Sequence, residues 1–98
     1  MEEPVKERRP GDDEAAVRRR LWWRSRRGLR ELDLLLLPFV EEVYPSLDVE
    51  AQAVYLRLLE EEDTELLLWL TGRAEPLDPA VHALVGRIRA HGHDHRRP

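Results

Sequence analysis

The chain has 98 residues, 42% apolar and 37% charged, with 16 basic against 20 acidic side chains for a net charge of −4 and no cysteine. That length supports one domain with a modest core, and the acidic balance speaks against a general nucleic-acid binder. Without cysteine there are no disulfides, thiolate nucleophiles, iron–sulfur ligands or cysteine zinc sites, which leaves little ground for catalysis or metal chemistry.

Residues 1–12 combine Pro4, Pro10, Gly11 and charges without apolar periodicity and read as a disordered charged leader. The leader carries charge where a signal peptide needs an apolar stretch. The longest apolar run, Leu34 to Val40, is interrupted by Pro38 and falls far short of a membrane span. The expected setting is therefore cytoplasmic, with no membrane insertion.

From residue 13 the apolar spacing is helical throughout, and no alternating β-branched run suggests a strand. A first helix is predicted from Asp13 to Arg27, capped by Asp12 or Asp13 and closed by Gly28. Its stripe of Val17, Leu21 and Trp22, with Trp23 beside it, is narrow. A second helix, Leu29 to Val43, buries Leu32, Leu35, Leu36, Phe39 and Val43 and is the expected centre of the fold. Pro38 inside it removes the bond to the Leu34 carbonyl and predicts a kink.

Pro45 stops that helix, and Asp48 caps a third that shows Ala51, Val54, Tyr55, Leu58 and Leu59 on one side. Asp63 starts a short fourth helix, ended by Gly72. A fifth has Asp78 as cap and Pro79 at its first position, with Val81, Leu84, Val85 and Ile88 on one face. His82 lies off that stripe and is expected to be exposed. The tail 91–98, His91 to Pro98, reads as disordered. The predicted architecture is all-α: a compact five-helix bundle over residues 13–90.

Charge is segregated along the chain. Arg18, Arg19, Arg20, Arg24, Arg26, Arg27 and Arg30 occur with no intervening acid, whereas Glu41 to Glu65 holds nine acids against Arg57 alone. Two solvated faces that pair within the domain would account for this. An interface would also, because arginines interleaved with Trp22 and Trp23 have hot-spot composition. The same interleaving occurs in proteins that hold single strands, but the acidic remainder would repel a phosphate backbone. The carboxylates at Glu60 to Asp63 have no neighbouring nucleophile. Ser25 has no triad-like partner, and no glycine-rich phosphate loop is present. The histidines at His91, His93 and His95 have spacing for weak metal chelation but no supporting shell, so no metal site is assigned.

The corner Arg26-Arg27-Gly28-Leu29-Arg30-Glu31 stands out. Gly28 lets the chain reverse between two helices, so Arg27 and Glu31 flank a tight turn and both can project outward. A capping glycine, a glutamate complementing the helix dipole and a local Arg27 to Glu31 pair would explain every residue type without a function.

The run Arg20-Leu21, Trp23 and Ser25 to Asp33, followed by Pro38-Phe39, Leu58-Leu59, Asp63, Leu66, Trp69 and the Val81 to Ile88 helix, resembles the succinate dehydrogenase assembly factor family. The likeness covers about residues 16–90 and includes that family's R-G-x-x-E motif as Arg27, Gly28 and Glu31. The resemblance implies a non-enzymatic chaperone, a monomer that binds the flavoprotein subunit of succinate dehydrogenase or the related fumarate reductase. It would promote covalent attachment of FAD to a client histidine, with the FAD belonging to the client and none bound stably by the factor. It further implies that Gly28 permits close approach to the client and that Glu31 contacts it near the flavin domain. Arg27 would fork onto a client carboxylate or backbone carbonyls, with Trp23 and Arg30 as outer neighbours. An antitoxin-like regulatory module that binds a small membrane protein is the alternative.

Overall fold

The structure, a computed structural model, describes residues 13–95, which form five α-helices with no strand among them. The leader and residues 96–98 lie outside the described part. The helices are α1 (Glu14–Ser25), α2 (Arg30–Glu42), α3 (Val49–Leu58), α4 (Asp63–Leu70) and α5 (Pro79–His95), and a single 3-10 turn, Tyr44–Ser46, follows α2.

Three helices begin as their local chemistry dictates. The Asp13 carboxylate accepts from the Ala16 amide at 2.8 Å, and Asp48 does the same for Ala51 at 2.8 Å. Asp78 takes the amides of Ala80 and Val81 at 2.8 and 3.2 Å, and those bonds, Val81's foremost, hold its carboxyl below its usual value. Each satisfies a donor that the first turn leaves without an intrahelical partner.

α2 is the centre of the bundle. It packs against α1, α4, α5 and the 3-10 turn, and Leu32, Leu36 and Phe39 are fully buried. Val40 and Tyr44 join them, whereas Leu35 and Val43, expected in the core, are only half-buried, so the buried stripe lies one position later than the apolar spacing predicts. The ring of Phe39 stacks on that of Tyr55 at 5.9 Å between centroids, and Tyr44 meets Tyr55 at 5.3 Å, so α2, the 3-10 turn and α3 share an aromatic centre. Val81, Leu84, Val85 and Ile88 close it from α5, the face predicted from their spacing.

The end of α5 differs from the sequence expectation. The helix does not stop at residue 90 but runs to His95. His91 is half-buried, edge-on to the Phe39 ring at 5.9 Å, with Nε2 3.0 Å from a Glu42 carboxylate oxygen. Gly92 is buried against the Leu35 side chain of α2. A sequence poor in helix formers continues as helix because tertiary contacts with α2 outweigh local propensity.

Candidate functional site

α1 ends at Ser25, two residues short of the predicted Arg27, and Arg26 is already extended. Ser25 turns inward and is fully buried. Its Oγ lies 2.9 Å from the Leu21 carbonyl and 2.7 Å from the Tyr55 hydroxyl. The one serine proton goes to Leu21, so the phenol donates to Ser25. Burial raises the Tyr55 phenol far above its ordinary value. This buried polar link ties the end of α1 to α3 and sets where the following corner emerges.

The corner itself is held from both sides. Gly28 has φ +82°, the left-handed region that side chains other than glycine's rarely enter. The Asp33 carboxylate, in the first turn of α2, reaches back and accepts from the amides of Arg27 at 2.8 Å and Gly28 at 3.2 Å. From the far side, Arg27 Nε donates to Asp63 Oδ1 at 2.7 Å, Nη1 to the Leu59 carbonyl at 2.8 Å and Nη2 to the Glu61 carbonyl at 2.7 Å.

The predicted outward projection of Arg27 is therefore corrected. Its side chain is only 15% exposed and is anchored in the α3–α4 connection. The expected kind of contact, a planar fork on a carboxylate and carbonyls, is present, but its partners belong to this chain. Nor is there a local Arg27 to Glu31 pair. The basic and acidic segments are joined here by Arg27 and Asp63, as pairing within the domain would have them.

The other four residues, Gly28, Arg30, Glu31 and Trp23, are all exposed, Trp23 to 63%. A side-chain carbon at Gly28 would meet no atom within 4 Å, so the backbone is open to approach. The Arg26 guanidinium lies 5.9 Å from the Trp23 ring centroid, within cation–π range, and Leu29 is 42% exposed beside the turn. Trp22 faces Trp23 edge-on at 5.1 Å but donates its indole N–H to Glu41 at 2.6 Å, so one tryptophan braces α1 on α2 while its neighbour stands in solvent.

Asp33 and Asp63, which shape the corner, carried no site assignment from the sequence. Asp33 sits within reach of the corner in sequence, a signal that short spacing offers. Asp63 is brought there only by the packing of α4.

His82 is exposed as predicted, with Nε2 3.2 Å from Glu75. Among the described residues no group of three or more metal-ligating side chains converges, and no helix is long and apolar enough to cross a membrane.

Residues 19–92 match the sequence profile of the Sdh5 family, described as the flavinator of succinate dehydrogenase. A protein of Pseudomonas aeruginosa named FAD assembly factor SdhE is 51% identical over 70 residues, 71% of this chain and 83% of that protein. The protein of the same name from Pseudomonas putida is 47% identical over 66 residues, 67% and 79% of the two chains. That of Shewanella oneidensis is 43% identical over 70 residues, 71% and 85%.

Proposed function

The chain belongs to the flavinator of succinate dehydrogenase family, and from that premise we propose that it is an assembly factor that binds the flavoprotein subunit of succinate dehydrogenase or of fumarate reductase. Bound there, it promotes covalent attachment of FAD to a client histidine. The observation that carries this reading is the division of labour at the corner, where Arg27 is locked inward while Gly28, Arg30, Glu31 and Trp23 face out.

Flavin and acceptor histidine both belong to the client in this proposal. What the factor contributes is placement. Holding two reacting groups in attack geometry lowers a barrier without any catalytic side chain on the holder. Gly28 lets the client backbone approach closely, Glu31 supplies a carboxylate at the contact, and Arg30 and Trp23 extend it with a bidentate donor and a flat apolar face. Arg27 is a positioning residue. Its three bonds fix the turn from which the others project.

The test is deletion of the gene followed by in-gel fluorescence of covalent flavin in the denatured flavoprotein subunit. Wild-type chain restores the fluorescence. Glu31→Ala, with an unchanged melting temperature, does not. Full restoration by a stably folded Glu31→Ala protein overturns the role given to the corner.

A further inference from the structure

Beside Glu31 the surface falls into an open depression of about 390 Å³. Glu31 and the leucines Leu34 and Leu35 line it from α2, Leu70 from the end of α4, and Arg89 and His93 from α5. We propose that this depression is the second half of the client-docking surface, and that it accepts an apolar side chain of the flavoprotein client flanked by a basic group toward Glu31 and an acidic group toward Arg89 and His93. The inference rests on the assembly-factor reading above and extends it to residues outside the motif.

Three observations support it. First, the depression is continuous with the corner, because Glu31 belongs to both. Among the described residues its carboxylate has no hydrogen-bond or ion-pair partner. Second, the lining is segregated by helix: an acid and two leucines on α2, a leucine at the end of α4, and a base with an imidazole on α5. Leu34 is 37% exposed on that floor, although α2 is otherwise the buried centre of the fold. Such an arrangement selects both the character and the direction of an incoming segment, since reversing the segment would face like charges. Third, the depression exists because α5 continues past residue 90. The close approach of Gly92 to Leu35 seats the last turns of α5 on α2 and carries His93 to the rim.

Arg89 is 40% exposed, and its contact with Glu75 is long, 3.5 Å from Nη1, so the guanidinium keeps donors for a partner.

The experiment measures binding of the purified apo flavoprotein subunit of succinate dehydrogenase to wild-type chain, Leu34→Arg, His93→Glu, Glu31→Ala and Glu75→Ala, each checked by thermal melting. Glu75→Ala removes the Arg89 contact without entering the depression. Leu34→Arg and His93→Glu are expected to weaken binding by about tenfold or more, and Glu75→Ala to change it by less than about twofold. If Leu34→Arg melts lower than wild type, His93→Glu, at an exposed position near the helix end, decides. Wild-type affinity in both variants, with Glu31→Ala weakened, overturns the depression and leaves the corner standing. Failure of the wild-type chain to bind the subunit removes the assembly-factor reading and this inference with it.

Discussion

Arg27 and Asp63 lie 36 positions apart in sequence, and their side chains meet at 2.7 Å, joining the arginine-rich corner to the acidic start of α4. The pair is unequal in what depends on it. Arg27 also serves the Leu59 and Glu61 carbonyls, whereas the Asp63 carboxylate meets Arg27 through one oxygen and is 38% exposed. Arg27→Gln, which leaves two carbonyls and a carboxylate short of donors, is expected to destabilise by about 1–3 kcal/mol. Asp63→Asn, which keeps an acceptor oxygen near Nε, is expected to cost less than about 1 kcal/mol. Urea denaturation of both variants checks the order.

Because Arg27 positions the corner and Glu31 stands outside it, the two variants separate stability from function. Glu31→Ala should unfold within about 0.5 kcal/mol of wild type, as expected for an exposed side chain away from special features, while losing support of flavinylation. Arg27→Gln should lose both, and conditions that restore its fold should restore part of its activity. Melting curves read alongside covalent flavin yield provide the comparison.

The Ser25 and Tyr55 link predicts a non-additive cycle. Ser25→Ala leaves the buried Tyr55 hydroxyl without its partner and should cost about 1–3 kcal/mol, and Tyr55→Phe, which leaves Ser25 its bond to Leu21, about 0.5–1.5 kcal/mol. The double variant should be close to Tyr55→Phe alone, because no orphaned hydroxyl remains. Equilibrium unfolding of the three proteins measures the coupling.

The same phenol sets an alkaline limit. Its native value is raised above the ordinary 10.0 mainly by burial. Below pH 10 it is protonated in both folded and unfolded chains and stability is level. Above pH 10 only the unfolded chain releases the proton readily, so stability falls as pH rises toward the native value. Unfolding free energies from pH 8 to 11 should show this decline, and Tyr55→Phe should flatten it.

Two glycines of α5 should respond in opposite ways to one substitution. A side-chain carbon at Gly86 meets no atom within 4 Å, so Gly86→Ala should stabilise by about 0.5–1 kcal/mol through helix propensity. At Gly92 the same carbon overlaps the Leu35 side chain, and displacing Leu35 should offset the gain and leave Gly92→Ala no more stable than wild type. Thermal melts of the two variants decide it, and His93 in the second reports on the seating of α5 through client affinity.

Most of the helical framework was legible in the sequence because its causes are local. Asp13, Asp48 and Asp78 cap helices three residues or fewer from the amides they bind, Pro79 sits where a missing N–H costs nothing, and the α5 stripe follows from a period of 3.6 residues. The corner was legible for the same reason: Gly28 announces a left-handed turn, and its φ of +82° is that turn.

What tertiary structure alone decided is which way the side chains at that corner point and where the last helix ends. Arg27 looked as free as Glu31 from its neighbours in sequence, yet α4 brings Asp63 and two carbonyls to it and turns it inward. His91 and Gly92 look like a polar tail until α2 offers Glu42, Phe39 and Leu35 as partners. Caps and periodicity act over one turn of chain, whereas a guanidinium or a bare glycine takes its meaning from whatever distant segment the packing delivers.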